Sequence, residues 1–195
     1  MLFFSSAPLL EARPDSFQSL SVSCLEKTCF EKSAVISGET IPLRGVGLYE
    51  FVKLNLFTVA FYVPEYAVNM DQILGDVPKR LVIHYNRKFR KGDIISAAER
   101  NLEKNPEVNL KNIRPRLDAM YSIFDDVKEN DRYELVYQPQ SGTCLYFNGR
   151  YKGAVSGEDF AKAFFGIWVS EYPLSEDLKE KLVNSHKRSL YENIS

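Results

Sequence analysis

The sequence predicts an α+β domain in which helices pack on a mainly antiparallel sheet. Predicted strands, helices, strands and helices follow one another along the 195 residues, an order typical of this class. Asn148-Gly149, between two alternating runs at residues 143–147 and 150–155, is a strong hairpin signal and places two neighbouring strands antiparallel. An almost wholly apolar helix is predicted after them, of the kind that a sheet buries.

The apolar helix is predicted from its start signal and from its period. Ser156-Gly157-Glu158-Asp159 combines an N-cap serine with acids in the first turn. Phe160, Phe164 and Trp168 then recur every four residues. Pro173 prevents the helix from continuing, because proline lacks the amide hydrogen that a helix interior needs.

The longest apolar run, residues 48–63, predicts one long buried strand. Alternation places Tyr49, Lys53 and Phe57 on the same face of that strand. Both faces are largely apolar, so both are expected to be covered. Gly45 and Gly47, just before the run, predict a bulge or a point where another group approaches the backbone.

The remaining elements are shorter and are predicted from local patterns. One or two edge strands are expected within residues 21–36. Further along, the patterns predict a helical turn at 70–74, strands at 80–86 and 133–137, and helices that begin near Gly92, Ile113 and Ser175.

Composition predicts one domain with a substantial core and excludes several classes of protein. Apolar residues make up 45% of the chain and aromatic residues 13%. The net charge is −1 and no basic stripe is present, which argues against nucleic acid as a partner. No apolar run approaches the roughly 18 residues that a transmembrane helix requires. Neither composition nor pattern indicates the oligomeric state.

The amino terminus favours export, to the periplasm or the medium, over a cytoplasmic location. Residues 1–12 are apolar with small residues, like the end of a signal peptide, although they lack its basic start. We therefore predict a poorly ordered tail or a remnant of an export signal at residues 1–30, and the folded domain at residues 31–190. Cys24 and Cys29 form a disulfide or remain free thiols, and the sequence favours free thiols.

The chain lacks the motifs of metal, cofactor and catalytic sites, so no cofactor and no metal site are predicted. It has three cysteines and two histidines without ligand spacing. His84 is interpreted as a surface or hydrogen-bonded histidine. The basic residues Arg87, Lys88, Arg90 and Lys91 are typical of a solvated loop, and contact with an acidic ligand or with membrane head groups remains open.

The carboxyl-terminal part of the chain carries a series of motifs in a fixed order. They are a Gly-Thr strand, an Asn-Gly turn, a Gly-x-Asp-Phe helix start, a Gly-Ile-Trp and a Leu-Lys, all between residues 142 and 182. Together with the glycine-rich start of the strand at 44–63, they resemble the chalcone isomerase-like family over residues 36–183. The resemblance implies an open-faced β-sandwich: a large, mainly antiparallel sheet backed by helices, with an apolar cleft between them.

The resemblance also implies candidate site residues. The arginine that holds an oxyanion or a carboxylate in the family falls on Tyr49, and two threonines near the substrate ketone fall on Phe57 and Ile167. A helix asparagine falls on Asn101. Lys53 is a substitute cation on the predicted face of Tyr49, or else an edge lysine that reaches solvent. These five residues are the ligand-binding candidates, and no catalytic residue is assigned.

Three functions follow from these substitutions. The sequence favours a non-catalytic domain that binds a fatty acid or another apolar small molecule in the cleft, because the fold motifs are present while the polar site is not. The first alternative is an intramolecular lyase that acts on a chalcone-like enone, which requires a cation beside the oxyanion. The second is a structural or interaction domain whose cleft is filled by side chains.

Overall fold

A seven-stranded antiparallel sheet dominates the computed structural model, which describes residues 21–184. The strands are β1 (Val22–Leu25), β2 (Thr28–Glu31), β3 (Ser33–Ile36), β4 (Glu39–Phe51), β5 (Leu54–Tyr62), β6 (Lys79–Tyr85), β7 (Arg132–Gln138), β8 (Gly142–Phe147) and β9 (Arg150–Val155). The helices are α1 (Met70–Leu74), α2 (Lys91–Lys104), α3 (Leu110–Ser122), α4 (Glu158–Val169) and α5 (Glu176–Val183).

The large sheet is a meander in which each strand pairs with the next one in the chain. Its order is β3-β4-β5-β6-β7-β8-β9, and all six pairings are antiparallel. The first two strands form a separate two-stranded hairpin. The predicted α+β open-faced sandwich, with a large antiparallel sheet backed by helices, is therefore confirmed.

The prediction of one long strand over residues 48–63 is wrong, because the chain reverses direction at Val52 and Lys53. These two residues have φ angles of 50° and 61° and form the two-residue turn between β4 and β5. Such turns usually carry Asn or Gly, which tolerate positive φ, and the Val52-Lys53 pair contains neither signal. Consequently Tyr49 and Phe57 are neighbours across the hairpin, and Lys53 is exposed at its tip.

The two glycines of β4 have the functions that the sequence predicts. The pairing of β4 with β5 shifts register between Leu43 and Gly45, which is a bulge. At Gly47 a Cβ atom would lie 2.6 Å from Cδ1 of Leu178 and 3.0 Å from Cβ of Lys181. Helix α5 therefore packs directly on the backbone of β4, and a side chain at residue 47 would displace it.

Helix α4 lies on one face of the sheet, as its apolar period predicts. Nine of its residues, 160, 161 and 163–169, are buried in the main core. The helix begins one residue later than expected: Gly157, with φ of 105°, is the N-cap, and no side chain caps the helix. Ser175 does cap α5, accepting a hydrogen bond from the amide of Leu178 at 3.3 Å.

The opposite face of the sheet is covered by the amino-terminal strands. A second cluster of buried residues there contains Phe30, Ile36, Ile41, Tyr62 and Val82. The two faces of β5 are thus both buried, in agreement with the sequence. None of the helices within residues 21–184 is long and apolar enough to cross a bilayer.

The first twenty residues of the predicted tail at 1–30 lie outside the described residues, as do residues 185–190 of the predicted domain. Residues 21–30 belong to the β1–β2 hairpin. Cys24 and Cys29 face each other across this hairpin and form a disulfide, so the free thiols that the sequence favoured are not what the structure shows. Whether the chain is exported stays a prediction.

One lysine is buried completely in the core. The ammonium of Lys79 donates a hydrogen bond of 2.5 Å to the carbonyl of Gly75 and lies 4.7 Å from the ring centroid of Tyr137. Burial lowers the pKa of Lys79 from 10.5 to about 8, and the charges of Asp76 and Glu158 offset only part of this effect. The protonated form of Lys79 therefore lowers the stability of the folded state.

We expect the pH dependence of stability to report this cost. Between pH 8 and 10.5 the unfolded chain binds more protons at Lys79 than the folded chain, so the wild type should gain stability as pH rises. Measured by urea unfolding, the free energy of unfolding of the wild type should rise by roughly 2 kcal/mol between pH 7 and pH 10, relative to that of Lys79→Met.

The exposed Lys162→Met on helix α4 is the matched control and should show the wild-type pH profile. Parallel profiles for wild type and Lys79→Met would contradict the depressed pKa.

Candidate functional site

A cavity of about 310 Å³ lies between the helix-covered face of the sheet and the helices, and it is partly open to solvent. Its surface is mostly apolar. The residues that line it are Tyr49, Leu56, Phe57, Ile83, Tyr85, Phe89, Asp93, Ile94, Ala97, Ala98, Arg100, Phe124, Tyr133, Leu135, Leu145, Phe164, Ile167, Trp168 and Leu174.

The floor of the cavity is built by strand register. Phe57 is the partner of Tyr85, Ile83 is the partner of Tyr133, and Leu135 is the partner of Leu145. Side chains of directly paired residues lie on the same face, so alternation along four strands collects apolar side chains in one place. These floor residues are buried.

Helices α4 and α2 form the walls. Phe164, Ile167 and Trp168 recur at spacings of three and four residues, so they share the face of α4 that lies towards the sheet. Helix α2 contributes Ala97 and Ala98, whose short side chains leave volume that a leucine or phenylalanine would fill.

A chain of aromatic contacts joins the hairpin, the sheet and helix α4. The ring of Tyr49 stacks on that of Phe57 with centroids 4.8 Å apart. Phe57 also meets the ring of Trp168 edge to face, at 5.8 Å. Because Phe57 touches both neighbours, it holds the hairpin against the helix at one side of the cavity.

The mouth of the cavity is marked by the lining residues that are not buried. They come from the β4–β5 hairpin, from the loop after β6, from helix α2 and from the segment after α4. Asp93 and Arg100 are the exposed members, and they lie two turns apart on α2. The guanidinium of Arg100 makes no hydrogen bond or ion pair with any residue from 21 to 184.

The lining has little capacity for acid–base chemistry. Among the described residues that line it there is no serine, threonine, cysteine, histidine or lysine, and the carboxylate of Asp93 is exposed. Burial raises the pKa of Tyr133 to about 12, and its hydroxyl is engaged with the backbone of Asp125. Burial also raises the pKa of Tyr85 strongly. Both phenols are therefore neutral near pH 7, and neither acts as a base there.

The structure brings three of the five sequence-predicted candidates together. Tyr49, Phe57 and Ile167 line the same cavity. Lys53 does not, because the turn carries it to the exposed tip of the hairpin. Asn101 is buried but does not line the cavity either: its amide donates a hydrogen bond of 3.2 Å to the carbonyl of Tyr172 and so ties α2 to the segment after α4.

Two other basic residues have structural partners outside the cavity. Nε of Arg44 donates a hydrogen bond of 3.1 Å to the carbonyl of Val183, at the end of helix α5. His84 lies on the opposite face of the sheet, where its Nδ1 accepts a hydrogen bond of 3.2 Å from Arg132. Burial, followed by the charge of Arg132, lowers the pKa of His84. The interpretation of His84 as a hydrogen-bonded histidine is confirmed.

Arg100 is not among the sequence-predicted candidates, and the family motifs place an uncharged residue, Tyr49, where the family has its arginine. The period of α2 puts Arg100 on one face of the helix with Asp93 and Ala97, because these residues are spaced four and three apart. The period alone does not specify that this face borders the cleft, since that depends on how α2 packs on the sheet.

Comparisons with known proteins agree with this architecture. The sequence profile described as chalcone isomerase-like matches residues 24–184. Among solved structures, the crystal structure of a fatty-acid binding protein from Arabidopsis thaliana superposes with a TM-score of 0.66 at 14% sequence identity. The match covers 83% of this chain and 95% of the plant protein. No curated protein sequence matches the chain.

We predict that Phe57→Ala destabilises the fold by roughly 2–4 kcal/mol, because it removes a buried ring and enlarges a cavity that already exists. Urea unfolding measures the change. Phe51→Ala in the same hairpin is the matched control, since Phe51 is 61% exposed and its loss should change stability little. Equal effects of the two substitutions would mean that the aromatic contacts of Phe57 do not hold the hairpin to α4.

Proposed function

The chain belongs to the chalcone isomerase-like family, and we propose that it is a non-catalytic member that binds a fatty acid or a similar apolar molecule with an anionic head group. The observation that carries this proposal is the apolar cavity of about 310 Å³ with the guanidinium of Arg100, which has no partner among residues 21–184, at its edge. The solved plant structure of the same architecture is that of a fatty-acid binding protein.

The cavity fits the apolar part of such a ligand. Its volume is within the range of small-molecule sites, about 300–1,000 Å³, which are mostly apolar with a few polar groups that orient the ligand. The tail of the ligand contacts Phe57, Ile167 and Trp168, and the stacked ring of Tyr49 covers it near the mouth. Burial of these apolar surfaces supplies most of the affinity.

Arg100 holds the head group. A guanidinium presents parallel N–H donors that match the two oxygens of a carboxylate. Asp93 lies seven residues earlier on α2, about 10 Å away along the helix axis, and its negative charge repels a carboxylate from that end of the mouth. The two side chains together orient the ligand with its head at Arg100 and its tail inside.

The same residues argue against cyclisation of a chalcone. That reaction requires a fixed cation beside the developing oxyanion, in a site without water. Arg100 is exposed to solvent, and the positions that correspond to the threonines of the enzymes are Phe57 and Ile167. The second alternative, a cleft filled by side chains, is disfavoured by the open volume itself.

The proposal is tested by titrating delipidated protein with a fluorescent long-chain fatty acid and by displacing it with unlabelled ligands. We expect saturable binding and displacement by both a fatty acid and the matching fatty alcohol. Arg100→Gln should weaken the fatty acid roughly fivefold to tenfold, as expected for a partly solvated charge-assisted hydrogen bond, and leave the alcohol unchanged.

Lys53→Gln is the matched control, because this exposed cation lies outside the cavity, and it should bind both ligands like the wild type. Absence of saturable binding at high micromolar ligand would refute the proposed function. Equal weakening of acid and alcohol by Arg100→Gln would refute the assignment of the head group to Arg100 and leave the binding itself intact.

A further inference from the structure

The tip of the β4–β5 hairpin exposes three apolar side chains. Phe51 is 61% exposed, Val52 75% and Leu54 44%, and Lys53 lies between them. The tip is adjacent to the cavity, because Tyr49 and Leu56, each two residues from the exposed group, line the mouth. An exposed apolar group of this kind, next to the entrance of an apolar cavity, is typical of a site that contacts an apolar partner.

The backbone of the tip is strained at Val52. This residue has φ of 50°, which is rare for a β-branched side chain because the Cβ branches crowd the backbone. Asn or Gly at this position would relieve the strain. The outermost position of the hairpin is thus occupied by an exposed apolar side chain that the turn geometry itself does not favour.

A cationic loop lies at the same edge of the sheet. Residues 87–91, which follow β6, contain Arg87, Lys88, Arg90 and Lys91 and no acid. The loop starts beside the hairpin, because the amide of Asn86 donates a hydrogen bond of 3.0 Å to the carbonyl of Leu56. The remaining residue of the loop, Phe89, lines the mouth of the cavity.

The side chains of these cations have no acidic partner among residues 21–184. Two acids lie close to this edge: the carboxylate of Asp126 accepts a hydrogen bond of 2.8 Å from the backbone amide of Lys91, and the carboxylate of Glu26 accepts one of 3.1 Å from the side-chain amide of Asn55. The edge therefore presents an apolar tip and a basic loop side by side, with the mouth between them.

We propose that this edge is a docking surface for an anionic lipid bilayer. The apolar tip, Phe51, Val52 and Leu54, enters the acyl layer, and Lys53 with the basic loop contacts the phosphate groups. In this orientation the mouth, with Arg100, faces the bilayer surface, from which an apolar ligand enters the cavity. The proposal goes beyond ligand binding, because docking does not require an occupied cavity.

Flotation of the full chain with vesicles tests the proposal. Vesicles of phosphatidylcholine with phosphatidylglycerol at about one third should carry the protein, and pure phosphatidylcholine vesicles should carry roughly tenfold less. Phe51→Ser with Leu54→Ser should reduce binding about tenfold. Arg87→Glu with Lys88→Glu should also reduce vesicle binding about tenfold, and it should remove the dependence of that binding on salt concentration.

Matched controls come from other surfaces of the chain. Val35→Ser removes an exposed apolar side chain, 74% exposed, from an outer strand, and Lys104→Glu with Lys111→Glu reverses two exposed cations elsewhere. Both should bind vesicles like the wild type. The fatty-acid titration without vesicles should be unchanged by the tip variant, which separates docking from ligand binding.

Three results would overturn the proposal: no flotation of the wild type, equal loss with the control variants, or binding that is insensitive to the tip substitutions. Sedimentation velocity provides a further arm. A wild-type dimer that Phe51→Ser with Leu54→Ser converts to a monomer would identify the tip as a contact between two copies of the chain, and this would also refute docking on a bilayer.

Discussion

The packing of α4 on the helix-covered face of the sheet is the contact on which the rest of the structure depends. Its buried aromatic residues meet a face on which three strands bring Phe57, Tyr85 and Tyr133 together by register. These rings do not fill the space between the sheet and α4 completely, because the neighbouring helix α2 contributes the short side chains of Ala97 and Ala98 there. The cavity is thus a consequence of how the core is packed, and its shape is fixed by the residues that stabilise the fold.

The chemistry of the cavity follows from the same arrangement. The side chains that form its floor come from the buried, helix-covered face of the sheet, so the floor is apolar and the phenols of its tyrosines stay neutral. Among the described lining residues, charged side chains appear only where α2 borders solvent, at Asp93 and Arg100. A pocket of this composition suits the proposed apolar ligand, because it offers apolar contact inside and one cation at its edge. In the proposed docking orientation, the exposed hairpin tip and the basic loop place this pocket next to the bilayer.

Much of the fold was predictable, because the period of α4, the Asn148-Gly149 turn and the family motifs all report local or short-range constraints. The site was predictable only in part. Phe57 and Ile167 were found through the family resemblance, and Tyr49 was found although the strand that was expected to carry it does not exist as one piece. The turn at Val52 and Lys53 was not predictable from local rules, because it violates them, and this error moved Lys53 into the cleft. Arg100 was missed because its position depends on how α2 packs, which no local pattern specifies.

The central claim is that the helix–sheet cavity holds an apolar chain with its acidic head at Arg100. A crystal structure of the protein with a fatty acid that carries bromine at its last carbon tests this claim most directly, since anomalous scattering locates the tail independently of the head. The account predicts bromine among Phe57, Ile167 and Trp168 and carboxylate density at the guanidinium of Arg100. Bromine outside the cavity, or a carboxylate that points into the floor, would contradict it.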